Sequence, residues 1–144
     1  MPSPRFLGVF LAAGLLGCGG SSGDVPVTGT VTLDEKPLAD AVVTFYPVGN
    51  TAGLGGAGRT GPDGKYTLTP ARGGSGLPPG EYTVVISRLL RPDGTPLPPG
   101  VPPIESDARE TLPAAYSSRD AGKLKRTVSK ETKSYDFALG TAEK

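Results

Sequence analysis

The stretch that decides the fold covers residues 81–87 and reads Glu-Tyr-Thr-Val-Val-Ile-Ser. Tyr82, Val84 and Ile86 recur with a period of two, which is typical of a β-strand with one buried face. A stiff Pro-Pro-Gly turn at residues 78–80 comes directly before this run. The pattern predicts a strand whose Tyr82, Val84 and Ile86 side chains lie in the core.

Weaker alternation of the same kind recurs on both sides of this run. A glycine-rich segment at residues 56–60 is predicted to be an edge strand, and no helical period is sustained after Cys18. The pattern therefore predicts an all-β fold, an antiparallel Greek-key β-sandwich of about seven strands over residues 25–141. The remaining side chains expected to face its core are Val25, Val27, Val31, Leu33, Ala41, Val43, Phe45, Tyr66, Leu68, Leu124, Val128, Tyr135, Phe137 and Leu139.

The composition excludes several kinds of chemistry. The 144 residues include one Cys and no His, so an internal disulfide and a Ser-His-Asp triad are both excluded. The lack of His also removes the commonest metal ligand and the usual general base near neutral pH. The net charge of +1 gives no long-range attraction for nucleic acid. We expect a protein that is not an enzyme, with no catalytic residue, metal or cofactor and no nucleic-acid partner.

The N-terminus has the organisation of an export signal. Arg5 precedes a short apolar run at residues 6–16, which ends in Leu15-Leu16-Gly17-Cys18. Leu-x-Gly-Cys after such a run resembles the lipobox of bacterial lipoproteins. The resemblance implies cleavage between Gly17 and Cys18 and attachment of diacylglycerol to the Cys18 thiol. The alternative is an ordinary signal peptide with a chance cysteine.

This interpretation divides the chain into three parts. Residues 1–17 would be the signal peptide, residues 18–24 a lipidated flexible tether, and residues 25–141 the folded domain. The membrane would then be a partner through the lipid on Cys18. Gly19 follows the cysteine where Asp favours inner-membrane retention in the enterobacterial sorting rule. That rule favours the outer membrane of the cell envelope over the inner membrane.

Six ordered stretches of the chain resemble the carboxypeptidase regulatory-like, or transthyretin-like, β-sandwich domains of many bacterial lipoproteins, an architecture also like that of immunoglobulin domains. Glu35 and Asp40 stand where that family commonly has Gly. Because Glu adopts a positive φ less readily than Gly, we expect another type of turn at Glu35. The resemblance implies an accessory or interaction module without enzymatic activity. Its stretches are residues 27–33, 36–45, 60–68, 79–84, 112–116 and 135–139.

The connection at residues 88–116, called the arm below, is long and rich in proline. Unstructured connections beyond about 12–15 residues are usually functional or disordered. We expect an extended segment that contributes few hydrogen bonds to the sheets and little to stability. Six of its charged residues are candidates for contact with a partner, and they are Arg88, Arg91, Asp93, Glu105, Asp107 and Arg109.

Two charged groups near the C-terminus have competing interpretations. Glu105, Asp107 and Glu110 could offer oxygen ligands to Ca²⁺, but they lack the spacing of a calcium loop, and a solvated loop is favoured. A basic stretch is predicted to protect an edge strand from pairing, with contact to anionic envelope polymers as the alternative. It contains Lys123, Lys125, Arg126, Lys130 and Lys133.

Three functions follow from these features. The first is a membrane-anchored envelope lipoprotein whose sandwich is a non-catalytic interaction or scaffolding module, with an envelope protein or glycan as partner. The second is a module that binds carbohydrate or peptidoglycan. The third is a carboxylate-based hydrolase, for which sequence cannot show the separation of paired carboxylates.

Overall fold

The computed structural model describes residues 23–98, 100–132 and 134–141. The predicted signal peptide and Cys18 lie outside these residues. The fold is all-β: within the described residues, seven strands have three or more residues and four have two. A 3-10 turn at Pro103–Glu105 and a one-turn helix, α1, at Ala114–Ser117 complete it. The strands are β1 Thr28–Leu33, β2 Lys36–Pro37, β3 Val42–Pro47, β4 Gly56–Arg59, β5 Lys65–Thr67, β6 Thr69–Pro70, β7 Gly80–Ser87, β8 Leu89–Leu90, β9 Arg109–Glu110, β10 Lys125–Val128 and β11 Phe137–Leu139.

These strands form two sheets and a small ribbon. The first sheet has the order β11-β1-β2, with β5 also paired to β1, and the second has the order β10-β7-β3-β4-β6. Strands β8 and β9 form the ribbon. The pair β1–β11 is parallel, whereas we expected antiparallel pairing throughout. Alternation along a strand shows which side chains face inward and carries no information about the direction of a neighbouring strand.

Strand β4 is not the edge strand that its glycines suggested. It lies between β3 and β6, and the short β6 ends the sheet. A Cβ atom on Gly56 would stand 2.7 Å from the Thr69 carbonyl oxygen, and one on Gly58 would stand 2.3 Å from that of Thr67. The two glycines therefore allow the backbone at Thr67 and Thr69 to lie close to β4.

The core lies between the two sheets, and the predicted register is confirmed. The side chains expected to face inward are buried, apart from Leu33 and Leu124, which are partly buried and pack against the core. Phe45 of the second sheet is fully buried, and its ring centroid lies 6.0 Å from that of Tyr135 and 6.3 Å from that of Phe137. Tyr82 contacts the same ring at 5.9 Å. One aromatic cluster thus joins the two sheets.

The turn between β1 and β2 has a left-handed backbone conformation at Glu35, a residue type that disfavours it. Asp34 and Glu35 have φ values of 49° and 69°, so the expectation of another turn type at Glu35 is wrong. The Asp34 amide donates to the Leu139 carbonyl oxygen at 2.9 Å, and the Asp34 carboxylate accepts from the hydroxyl of Thr141 at 2.8 Å and from its amide at 3.1 Å. The Thr141 hydroxyl, and then its amide, lower the pKa of Asp34. These bonds fix the turn against the end of the described chain.

The buried phenol of Tyr66 makes the free energy of unfolding fall as the pH rises in the alkaline range. Its hydroxyl donates to the Tyr135 carbonyl oxygen at 2.6 Å, and burial raises the pKa of the Tyr66 phenol. Below pH about 10, both the folded and the unfolded protein keep this proton. Above that pH the unfolded chain loses it first, so the free energy of unfolding falls by about 1.4 kcal/mol per pH unit for this group. Urea titrations between pH 9 and 11 should show a shallower decline in Tyr66→Phe than in the parent, and equal slopes would contradict this assignment.

Candidate functional site

The arm is more ordered than its proline content suggested. Its ends pair as β8 and β9, so the expectation of few ladder hydrogen bonds is wrong at both ends. Leu97 and Leu112 are buried, and the Arg59 guanidinium donates to the Leu97 carbonyl oxygen at 3.0 Å. Helix α1 packs against β7. The arm therefore packs against the sandwich at several points along its length.

The Glu110 carboxylate joins the two ends of the arm. Its Oε1 atom accepts hydrogen bonds from the backbone amides of Arg88 at 3.0 Å, Thr111 at 3.1 Å and Leu112 at 2.9 Å. Its Oε2 atom accepts from the Ser87 hydroxyl at 2.5 Å. A carboxylate that accepts several amide hydrogen bonds stabilises the turn that presents them. Sequence reasoning grouped Glu110 with its acidic neighbours and missed this role.

Glu110 contributes a testable part of the stability of the arm. Glu110→Ala removes the side-chain acceptor of the Arg88 and Leu112 amides, and because Glu110 is exposed and water can replace it, we expect the free energy of unfolding to fall by about 0.5–1.5 kcal/mol. Glu105→Ala is the matched control, because Glu105 is also an exposed glutamate of the arm and its carboxylate has no hydrogen bond among the described residues. Chemical denaturation measures both variants. Equal stability of the two variants would show that the Glu110 contacts contribute nothing.

The six charged residues predicted for partner contact do not form one cluster through hydrogen bonds. Arg88 Nε donates to the Thr111 hydroxyl at 2.9 Å. Asp93 accepts from the hydroxyl of Thr95 at 2.6 Å and from its amide at 2.9 Å, and these bonds lower the pKa of Asp93. Arg91 is half-buried and lies in the same turn. The other three residues, Glu105, Asp107 and Arg109, are exposed.

Ile104 is the feature of the arm that charge patterning missed. It lies in the 3-10 turn and is 94 % exposed. The Ser106 hydroxyl donates to the Pro103 carbonyl oxygen at 3.0 Å and accepts from the Ala108 amide at 3.2 Å. A branched apolar side chain is thus presented on an internally bonded turn. An Ile among prolines was the only sequence signal for it.

The acidic group at the arm does not form a metal site. Among the described residues, no group of three or more His, Cys, Asp or Glu side chains could hold a metal ion together. The Glu110 carboxylate already accepts hydrogen bonds from backbone amides at the base of the arm. The calcium alternative therefore has no support in this arrangement.

The basic stretch near the C-terminus includes a strand at the end of a sheet, as predicted. Strand β10 contains Lys125 and Arg126 and ends the five-stranded sheet. The Arg126 guanidinium lies 4.4 Å from the Phe137 ring centroid and donates to the Asp136 carbonyl oxygen at 3.1 Å. Arg126 therefore connects the end strands of the two sheets.

A groove of about 380 Å³ runs beside β7 and β10. It is within the size range of small-ligand sites, which is about 300–1,000 Å³. Its lining is polar apart from Val48 and Tyr82. The lining residues are Val48, Glu81, Tyr82, Thr83, Lys125, Arg126 and Thr127.

Comparisons with protein-family models, with curated proteins and with solved structures find no match for this chain. In the part of the chain that the structure describes, no helix is long and apolar enough to cross a membrane.

Proposed function

We propose that this chain is a lipoprotein anchored to the cell envelope, whose β-sandwich is a non-catalytic interaction or scaffolding module. The observation that carries the interaction part is Ile104, which stands almost fully exposed on an arm joined at its base by Glu110. An exposed apolar side chain on an ordered support gains free energy when a partner covers it. The partner that fits is an envelope protein with an apolar pocket.

The anchor is proposed from the sequence before the described residues. The Leu15-Leu16-Gly17-Cys18 stretch supports processing at Cys18, with residues 1–17 as the signal peptide. Two or three acyl chains there would anchor the protein durably. Residues 18–24 could span about 24 Å when fully extended. The residue after the cysteine, Gly19, supports the outer membrane over the inner membrane.

Backbone geometry supports membership of the carboxypeptidase regulatory-like family. Glu35 and Asp40 have φ values of 69° and 59°, and they occupy positions where that family commonly carries Gly. Gly adopts positive φ without steric cost, so the same backbone shape would explain the family's preference. The bridge between Val25 and Leu77 and the Asp34–Thr141 bonds support a domain that covers residues 25–141.

Crosslinking in cells tests the interaction. Ile104→Ser should lose the crosslinked partners of the full-length protein and keep its melting temperature, because Ile104 makes no contribution to the core. Leu54→Ser is the matched control, since Leu54 is an exposed apolar residue outside the arm, at 59 % exposure. The proposal is wrong if Ile104→Ser retains every partner, or if both variants lose the same partners.

A further inference from the structure

The chain enters the folded domain beside the loop at residues 71–79. The Val25 amide donates to the Leu77 carbonyl oxygen at 2.8 Å, and the Leu77 amide donates to the Val25 carbonyl oxygen at 2.9 Å. A Cβ atom on Gly76 would stand 2.4 Å from the Val25 carbonyl carbon, so glycine at this position lets the loop lie directly against the chain. The point at which the proposed tether joins the domain is therefore fixed by backbone contacts.

A second loop, which carries Leu54, lies at the same end of the domain. The Ala71 amide donates to the Gly55 carbonyl oxygen at 2.9 Å, and this bond joins the two loops. Asp24, Leu54 and Arg72 line one hollow of about 120 Å³. The surface formed by these three residues and the two loops, called the exit end below, therefore surrounds the place where the tether begins.

The exit end presents an apolar and a basic side chain to its surroundings. Leu54 is 59 % exposed, and Arg72 is exposed with no hydrogen bond or ion pair to any residue that the structure describes. An apolar side chain gains free energy when it leaves water for the boundary between lipid head groups and acyl chains. An arginine beside it can donate to a lipid phosphate while its methylene groups lie along apolar surface. This pair of side chains fits a phospholipid surface.

We propose that the exit end rests on the membrane, with Leu54 at the boundary between head groups and acyl chains and Arg72 at a lipid phosphate. The inference rests on the lipid anchor of the proposed function. Residues 18–24 span at most about 24 Å, so a lipid on Cys18 keeps the exit end close to the membrane. A contact made by a tethered domain needs little affinity of its own, because the tether raises the local concentration of lipid. Asp24 balances the charge of Arg72, so we expect the contact with uncharged phospholipids as well.

Quenching of a fluorophore by spin-labelled lipid measures this contact. Full-length Ser75→Cys protein, extracted in detergent, is labelled at the new thiol and reconstituted into phosphatidylcholine vesicles that contain a phospholipid spin-labelled near its head group. Ser75 is exposed in the loop at residues 71–79, and cysteine is nearly isosteric with serine. The control is Lys36→Cys, labelled at an exposed residue beyond the far end of β1. We expect quenching about twofold stronger at position 75 than at position 36, because the exit end lies in the head-group layer.

Leu54→Ser in the Ser75→Cys protein separates contact from proximity. The tether alone brings Ser75 nearer to lipid than Lys36, whereas a contact through Leu54 is lost only when that side chain is replaced. We expect this variant to lose most of the difference in quenching and to keep its melting temperature, because Leu54 is largely exposed. Equal quenching at the two labelled positions, or unchanged quenching after Leu54→Ser, would overturn the proposal.

The parent protein, with no added cysteine, tests the anchor separately. Cys18 is the only cysteine of the chain, so a parent whose Cys18 thiol carries lipid takes up no fluorophore. A labelled parent would refute the anchor of the proposed function. An unlabelled parent together with weak quenching in Ser75→Cys would refute the contact of the exit end alone. Leu54→Ser leaves Ile104 in place, so the crosslinked protein partners of this variant should be retained.

Discussion

Replacement of Phe45 by alanine is expected to lower the free energy of unfolding by about 3–5 kcal/mol, the range for truncating a large buried aromatic side chain. Phe45 is fully buried, and its ring contacts Tyr82 on its own sheet and both Tyr135 and Phe137 near the facing sheet. Its removal leaves a cavity at the centre of the only aromatic cluster that the described residues contain. Because the contacts join both sheets, a single cooperative unfolding transition should shift as a whole.

Urea denaturation followed by circular dichroism measures this effect. Ile104→Ala is a suitable control, because it truncates an apolar side chain that is 94 % exposed and should change the free energy of unfolding by less than about 0.5 kcal/mol. A loss in Phe45→Ala no larger than in Ile104→Ala would contradict the packing described here.

Much of the sandwich was predictable because strands with one buried face have a period of two. The alternation of Tyr82, Val84 and Ile86 identifies β7 and its inward face, and the same rule places Phe45 and Phe137 in the core. The rule says nothing about which strands become neighbours. The parallel β1–β11 pair therefore could not be predicted.

The alternation of apolar and polar residues also does not predict where two backbone segments approach each other closely. Gly29 interrupts the alternation of β1, and a Cβ atom there would stand 2.0 Å from the Tyr135 carbonyl oxygen. Tyr135 donates its amide to the Thr28 carbonyl oxygen at 2.9 Å, so the chain leading to β11 already lies against β1 at that point. Glycine in a sequence indicates that an approach is allowed, but it does not identify the segment that comes close.

The candidate sites were less predictable than the fold, because they depend on contacts between distant segments. Proline content suggested a loosely attached arm, whereas Glu110 bonds to amides at both of its ends. The hydrogen bonds that a side chain makes to distant segments are a property of the folded chain, and the local sequence does not indicate them.

Replacement of Cys18 by serine is expected to abolish lipidation. In the lipoprotein interpretation, the thiol receives diacylglycerol before the signal peptide is cut, and a hydroxyl does not replace it in that reaction. The variant should accumulate with residues 1–17 attached and should not incorporate a radiolabelled fatty acid. Ser21→Ala, a change within the same tether, is the control and should be processed as the parent is. Parent-like labelling and migration of Cys18→Ser would rule out a lipid on this residue.

The most direct measurement is the mass of the N-terminal peptide of the mature protein, isolated from membranes and released by protease. The proposal predicts a peptide that begins at Cys18 and carries diacylglycerol on the thiol together with an acyl chain on the amine. A mature chain that begins at any other residue, or that carries Cys18 as a free thiol, would contradict it.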